Sequence, residues 1–132
     1  MSVDWELIDI KQLSRRIGEA YASFSESRIS LSPTACEMVS DVYNKPYVQI
    51  RVARDDGGKA RLVGLKFLKD KGENSLLVTR RKYKGDFVDG LNINSKSLVQ
   101  IILGENFSGK TTRYEAEVNE DGLLVIDLGK VF

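Results

Sequence analysis

The segment GENFSGKTT, residues 104–112, has the residue types and spacing of a phosphate-binding loop. Gly104, Gly109, Lys110 and Thr111 occupy every fixed position of the pattern G-x-x-x-x-G-K-[ST]. In a working loop of this kind, backbone N–H groups and a helix N-terminus surround the phosphates, while Lys adds charge and Thr holds magnesium. The chemistry that this spacing suggests is therefore nucleotide binding.

The residues around this motif predict a different structural context. Only 21 residues follow Thr111, and they read as an antiparallel hairpin, which leaves no room for the parallel strands of a nucleotide-binding sheet. The preceding apolar run, Ser97–Leu103, is predicted to be a helix that Gly104 terminates. We interpret residues 106–110 as a connecting loop. A small anion site formed by the N–H groups of residues 109–111 is the alternative, and nucleotide binding is the least favoured function.

The composition excludes most enzyme chemistry. The chain has no histidine and a single cysteine, Cys36. Ser-His-Asp and Cys-His nucleophile pairs, imidazole proton shuttles and most zinc or iron sites are thereby removed, and no internal disulfide can form. We therefore predict a non-enzymatic binding protein with no cofactor. The single thiol fits a cytoplasmic location.

No membrane association is predicted from the sequence. No apolar stretch approaches the roughly 18 residues that a membrane span needs. The N-terminal segment MSVDWELIDIK is acidic and lacks the apolar region of a signal peptide. The length of 132 residues suits one domain, residues 1–132, with a core of its own.

The formal charge is unevenly distributed, although the total is only +1. Residues 1–43 carry four Lys/Arg and seven Asp/Glu, a net charge of −3. Residues 44–84 carry twelve against four, a net +8, and residues 85–132 carry four against eight, a net −4. A basic block between acidic flanks predicts a surface that attracts polyanions.

An amphipathic helix is predicted over residues 9–24, packed on the main domain. Its apolar residues recur at steps of three and four, at Ile10, Leu13, Ile17, Tyr21 and Phe24.

Residues 28–68 have the pattern of a strand, a short helix and a hairpin. Arg28–Ser32 alternates polar and apolar residues and predicts a strand. Ser32 can cap a helix and Pro33 suits its first position, so a short helix is predicted over Thr34–Val39. The hairpin consists of predicted strands at Tyr47–Ala53 and Arg61–Leu68 with a turn at Asp55–Gly58.

The same order returns in residues 91–128. A strand begins at Leu91, Asn94 or Ser95 is a candidate cap, and the helix Ser97–Leu103 follows. A hairpin is then predicted from Arg113–Val118, a turn at Asn119–Gly122 and Leu123–Leu128. Residues 75–90 link the two units, as a strand at Ser75–Lys82 and a loop around Tyr83–Gly90.

Two β-α-β-β units in one chain indicate an internal repeat. Neither unit could bury its sheet alone, whereas two together could close a small barrel and remove exposed edges. The predicted fold is mainly β with short helices (α+β): a small barrel of two such units, preceded by the N-terminal helix.

The stretch RISLSPTACEMV, followed by YVQIRVARDDGGKARLVGLKF, resembles the AbrB/MazE/SpoVT swapped-hairpin family. The resemblance covers residues 28–68, with a weaker echo in residues 91–128. It implies a barrel that is usually built by a homodimer of short chains, and DNA binding as a transcription regulator or antitoxin. This chain departs from the pattern because it holds both units and because the second unit is acidic. We therefore expect either a monomer with internal pseudo-symmetry or a homodimer.

The basic block supplies the candidate site. Alternation along the strands places its side chains on the solvent side of one sheet, where they could dock on phosphates. The candidate nucleic-acid-binding residues are Arg51, Arg54, Lys59, Arg61, Lys66, Arg80, Arg81, Lys82 and Lys84, with Tyr47 and Tyr83 as stacking residues.

Two functions remain open besides nucleotide binding, which is the least favoured. The first is an AbrB-like nucleic-acid-binding or regulatory protein. The second is a protein-binding module or an inhibitor encoded by a phage or mobile element, which uses the basic face against an acidic protein partner. In one variant the acidic residues of the C-terminal half imitate nucleic acid instead: Glu115, Glu117, Glu120 and Asp121. Alternatively, the basic residues are ordinary edge and surface charges, neutralised by the acidic parts of the same chain.

Overall fold

A computed structural model describes residues 3–7, 19–104 and 109–132 and shows a mainly β protein with few, short helices. The strands are β1 (Tyr21–Phe24), β2 (Arg28–Leu31), β3 (Tyr47–Arg54), β4 (Ala60–Leu68), β5 (Ser75–Leu77), β6 (Thr79–Tyr83), β7 (Asp86–Asn94), β8 (Thr112–Val118) and β9 (Leu124–Val131). The helices are α1 (Pro33–Glu37) and α2 (Lys96–Leu103), and a 3-10 turn lies at Val42–Asn44.

The strands form one nearly closed, barrel-like sheet. Their order is β5-β3-β4-β9-β8-β1-β2-β7-β6, and every pairing is antiparallel. The two end strands, β5 and β6, are consecutive in the chain and are joined by Val78. This residue is buried and donates its N–H to the carbonyl of Pro46 at 2.7 Å. The segment from β5 to β6 therefore carries the chain from one edge of the sheet to the other.

The barrel interior is filled by the alternate apolar residues of these strands, because successive side chains of a strand point to opposite faces. The largest fully buried side chains include those of Phe24, Ile29, Leu31, Val48, Val63, Leu65, Ile93, Leu124 and Ile126.

Both short helices begin as their sequences predict. The Ser32 hydroxyl accepts a hydrogen bond from the Ala35 N–H at 3.2 Å, with Pro33 at the first helical position of α1. Ser95, rather than Asn94, caps α2 and accepts from the Leu98 N–H at 3.1 Å.

The two long hairpins have matching turns. In β3–β4, Asp55 Oδ1 accepts from the backbone N–H groups two and four residues later, both at 3.0 Å. In β8–β9, Asn119 Oδ1 makes the same two bonds, again at 3.0 Å. Gly58 and Gly122 both have a φ of +79°, the left-handed conformation that favours glycine.

The predicted N-terminal helix is wrong at its C-terminal end. Tyr21–Phe24 is the strand β1, which pairs with β2 on one side and β8 on the other and buries Ala22 and Phe24. The spacing of Tyr21 and Phe24 also fits a helix, but two strand partners outweigh that local pattern. Glu19 and Ala20 are not helical, and residues 9–18 of the predicted helix lie outside the described residues.

The predicted link at residues 75–90 also differs from the structure. The predicted strand Ser75–Lys82 is divided at Val78 into β5 and β6. The predicted loop around Tyr83–Gly90 is instead a tight turn followed by the first half of β7. β6 and β7 therefore form a third hairpin, at the edge of the sheet, because Lys84 and Gly85 reverse the chain within two residues.

Candidate nucleic-acid interface

The candidate basic residues lie on two hairpins that point in opposite directions. In the register of β5 with β3, Leu77 faces Tyr47 and Ser75 faces Gln49. From that point β3 runs toward Arg54, while the chain after Leu77 runs the other way into β6. The structure therefore does not bring the candidates together: Arg51, Arg54, Lys59, Arg61 and Lys66 are on β3–β4, and Arg80, Arg81, Lys82 and Lys84 are on β6–β7.

The outer face beside hairpin β3–β4 carries charges of both signs. Arg51 faces Gly64, Gly64 faces Val125, and Val125 faces Glu117, so a cation and a carboxylate lie in one row across four strands. Arg54 folds back onto its own turn and donates from Nη1 to the Gly58 carbonyl at 3.0 Å. This face is less suited to a polyanion than the sequence suggests.

Hairpin β6–β7 extends beyond the rest of the sheet as a two-stranded ribbon. β7 pairs with β2 only from Leu91 onward, and β6 has β7 as its one hydrogen-bonded neighbour in the described sheet. We call residues 81–89 the ribbon. With three residues on β6 and four on β7 it extends roughly 10–13 Å, because a strand rises about 3.3 Å per residue.

The tip of the ribbon is a two-residue turn. Tyr83 pairs with Asp86, and the residues between them, Lys84 and Gly85, have φ values of 52° and 86°. Two positive φ values match the turn type whose twist suits a hairpin, where Asn-Gly is the common choice. Glycine tolerates this conformation, whereas lysine is uncommon in it. Lys84 therefore occupies a position at which its backbone preference is unfavourable.

We expect Lys84→Asn to raise the free energy of unfolding by about 0.5–1 kcal/mol, because asparagine adopts positive φ more readily than lysine. Urea unfolding measures the change. The matched control is Lys82→Asn, the same substitution at a strand position, where no gain is expected because asparagine disfavours strands. Equal effects at both positions would contradict the assignment of the turn.

The base of the ribbon is fixed by Arg80 and Tyr43. The Arg80 guanidinium lies 4.4 Å from the centre of the Tyr43 ring and donates from Nη2 to Asp89 at 3.3 Å. Arg80 Nε also donates to the Val88 carbonyl at 3.2 Å. The Gly90 N–H donates to the Tyr43 hydroxyl at 2.9 Å. Arg80 is thus occupied as an anchor, which the sequence did not separate from the other cations.

The Cys36 thiol is buried beside Tyr43 and is largely protonated at neutral pH. Burial raises its pKa to about 11, a shift that a hydrogen bond with Tyr43 only partly offsets. Burial also raises the pKa of the Tyr43 hydroxyl, against the opposing effect of its bond from Gly90. Cys36 is consequently a buried, protonated thiol at physiological pH.

Alkylation of Cys36 by iodoacetamide at pH 8 is expected to be about 100-fold slower in the folded protein than in the urea-unfolded chain. A pKa of about 11 instead of the ordinary 9 lowers the reactive thiolate fraction by that factor. The folded rate should keep rising with pH up to about 11. Equal rates in the two states, followed by mass spectrometry, would show that the thiol is not protected.

Among the described residues, the ribbon cations without a carboxylate partner are Arg81, which is half-buried, and the exposed Lys82 and Lys84. In the described part of the chain the ion pairs within 4.0 Å are Arg80–Asp89 and Lys96–Glu26, so neither lysine is neutralised by a carboxylate. Each lies instead over an exposed ring: Lys82 Nζ is 4.9 Å from the Phe87 centroid, and Lys84 Nζ is 5.4 Å from that of Tyr83.

These two rings are among the most exposed apolar groups of the protein. Tyr83 is 65% exposed and Phe87 61% exposed. Sequence analysis identified Tyr83 but missed Phe87, because residues 83–90 were interpreted as a loop. The signal that could have found it is Lys84-Gly85 between two short alternating runs. The other stacking candidate, Tyr47, is half-buried opposite Leu77 at the C-terminal end of β5 and lies outside the ribbon.

Residues 109–111 of the phosphate-loop motif lie in an exposed connection before β8. The motif is preceded by the helix α2 rather than by a strand, and Gly104 ends that helix with a φ of 52°. Residues 105–108 lie outside the described residues. The strand-to-helix context that a nucleotide site needs is therefore not found on the described side of the motif.

The described residues thus combine a barrel-like antiparallel sheet with a projecting ribbon that bears cations and rings. Comparison with protein-family models, curated proteins and solved structures finds no match to this chain. Among the described helices, none has the length and apolar character needed to span a bilayer.

Proposed function

We propose that this protein is a non-enzymatic nucleic-acid-binding protein that docks on phosphates through the ribbon. The observation that carries the proposal is the pair Lys82 and Lys84, which extend on a projecting hairpin and have no carboxylate partner within 4.0 Å among the described residues. Ammonium groups so placed release counterions from a polyanion on contact, which makes binding favourable at low salt. The rings of Tyr83 and Phe87 offer apolar surface beside those cations.

We further infer that the barrel consists of a duplicated AbrB-like unit. Two features support the duplication. The capped helices and the hairpin turns recur with the same hydrogen bonds in both halves. Ser30 also faces Asn92, and Val63 faces Ile126, which are corresponding positions if the halves are related by a pseudo-two-fold axis through both pairs. The family resemblance then favours a regulatory, cytoplasmic DNA-binding role, with the barrel closed within one chain.

On this interpretation β1 and the segment β5–β6 also correspond. Each precedes the first strand of its unit, pairs with that strand, and reaches the second strand of the other unit: β1 reaches β8, and β5 reaches β3. The ribbon is then an extension found in the second unit, while β1 is followed by the short connection at residues 25–27. An extension of this kind is where a duplicated scaffold can gain a new function.

A salt series of gel shifts tests the proposal. Binding of mixed-sequence nucleic acid is expected at low salt, with log affinity falling linearly as log salt rises. Substitution of both ribbon lysines, Lys82 and Lys84, should reduce the magnitude of this log–log slope by roughly two. The change is about one for each lost phosphate contact. No binding at low salt, or an unchanged slope in the double variant, would exclude the proposal.

A second candidate function is the binding of a protein partner. It is favoured by a groove whose lining is acidic, in contrast to the basic ribbon. This groove has a volume of about 680 Å³ and lies on the outer side of β8 and β9. Leu62, Val125 and Phe132 give it apolar surface. Its carboxylates are Glu19, Glu115, Glu117 and Asp127, against one cation, Lys130.

The groove residues suit a cationic peptide with apolar side chains. No carboxylate of the groove is within ion-pair distance of a cation in the described residues. None of the described acidic or thiol groups is arranged to hold a metal ion. Charge complementarity therefore favours a lysine- or arginine-bearing segment, as expected if the acidic C-terminal half imitates nucleic acid toward a basic protein.

A labelled peptide of alternating arginine and leucine is the probe for this candidate. Its fluorescence anisotropy should rise with the protein, and the double variant Glu115→Gln, Glu117→Gln should reduce the affinity about tenfold. An arginine–serine peptide of the same charge tests whether the apolar surface of the groove contributes to affinity. This peptide should bind more weakly, because it has no apolar side chains. Equal binding of both peptides, or no effect of the double variant, would exclude the groove as a peptide site.

A further inference from the structure

We propose that the nucleic acid which the ribbon recognises is a B-form DNA duplex, entered tip-first through its major groove. This inference rests on the proposed nucleic-acid-binding function and adds the class of nucleic acid and the mode of entry.

The first support is the arrangement of side chains on both faces of the ribbon. Lys82 and Phe87 face each other across the two strands and therefore share one face. Tyr83 and Asp86 likewise share the other face, over which Lys84 reaches to the Tyr83 ring. A flat surface or a single strand contacts one face at a time. A groove is lined by phosphates on both sides, so cations on both faces of the ribbon can contact phosphates at the same time.

The second support is size. The major groove of B-form DNA is about 12 Å wide and admits a two-stranded β-ribbon. The ribbon has no third strand in the described sheet, and its length of roughly 10–13 Å exceeds the groove depth of about 8.5 Å, so its tip can reach the groove floor. The A-form RNA duplex has a deep, narrow major groove that does not admit such an element.

The third support is the chemistry of the tip. Gly85 has no side chain at the most advanced point, so the backbone can approach the base edges closely. Asp86 is exposed beside it, and a carboxylate can accept from the exocyclic amine of cytosine. The anchor formed by Arg80, Asp89 and Tyr43 holds the ribbon against the barrel. The ribbon therefore meets the duplex with a fixed base.

The test compares three labelled probes of one sequence, each about two helical turns or 20 base pairs long. They are a DNA duplex, one DNA strand alone and the corresponding RNA duplex. Anisotropy at low salt is expected to show binding of the DNA duplex at least about tenfold tighter than the other two. At saturation, guanine N7 in the major groove should be protected from dimethyl sulfate, and adenine N3 in the minor groove should not.

The variant Lys84→Asn, which preserves the turn, should remove the N7 protection at the same protein concentration. Tighter binding of the single strand or of the RNA duplex would overturn the B-form inference. Protection of N3 without N7 would overturn major-groove entry. In each of these cases nucleic-acid binding itself stands. Absence of binding to all three probes would instead sink the proposed function, so the two failures are distinguishable.

Discussion

Combining Lys82→Glu with Lys84→Asn is expected to weaken binding to a DNA duplex at least about 30-fold at low salt. The change removes three units of positive charge from the ribbon, where the two lysines have no carboxylate partner within 4.0 Å in the described residues. Neither position carries core packing, because both side chains are exposed. Anisotropy titration with far-UV circular dichroism of each variant separates lost binding from lost structure.

The matched control is Lys66→Glu with Lys59→Asn on hairpin β3–β4. It makes the same two substitutions at an exposed strand position and an exposed turn position, and it changes the charge by the same amount. We expect a loss of less than about threefold, since hairpin β3–β4 points away from the ribbon and its outer face shares a row with the carboxylate of Glu117. A control that weakens binding as much as the ribbon variant would show that overall charge, rather than the ribbon, determines affinity.

Gly90→Ala is expected to lower the free energy of unfolding by about 2–3 kcal/mol. Gly90 has a φ of +115°, a conformation that L side chains rarely adopt. A Cβ built there lies 2.5 Å from Arg81 Cδ and 3.1 Å from the Leu31 carbonyl oxygen. The arginine can move, but the carbonyl belongs to β2 and cannot. The same residue donates its N–H to Tyr43, so the ribbon base loosens as well.

Urea unfolding of Gly90→Ala beside Gly64→Ala measures this effect. Gly64 lies on β4 without positive φ, and an added Cβ meets Leu123 Cδ1 at an ordinary 3.4 Å. The change at residue 64 should therefore be within about 1 kcal/mol. If the two variants are equally stable, the backbone at residue 90 is not constrained as described.

Much of the barrel could be predicted because its helix starts and hairpin turns are determined by residues close together in the sequence. The hydroxyl groups of Ser32 and Ser95 cap the two helices, and the ring of Pro33 suits the first helical position. The two hairpin turns are held by hydrogen bonds that the side chains of Asp55 and Asn119 accept. These bonds span no more than four residues. Composition and spacing are sufficient to indicate them.

The elements that were wrongly predicted depend on distant partners. Tyr21–Phe24 is a strand because β8, about ninety residues later, supplies its second neighbour. The hairpin at residues 79–94 was obscured by a lysine at the turn position where asparagine is usual. Local periodicity carries no information about either, since sheet closure is a property of the whole chain.

The candidate site was predicted in composition but not in arrangement. The sequence indicates Lys82, Lys84 and Tyr83 as site residues, but its charge pattern does not distinguish Arg80 from the lysines. Which cation is free and which is an anchor depends on Tyr43, which lies on another element. The separation of the basic residues into two hairpins likewise follows from the register of β5 with β3, which no run of charges reveals.

The crossing at Val78 gives the wall of the barrel an unusual seam. In the described sheet β5 and β6 are its two outermost strands, held to each other by covalent continuity rather than by a ladder. A seam of this kind can part transiently without sacrificing any interstrand pairing. Solvent should therefore reach the interior there first, and a backbone cut at Val78 should disrupt the barrel more than a cut at Gly57–Gly58.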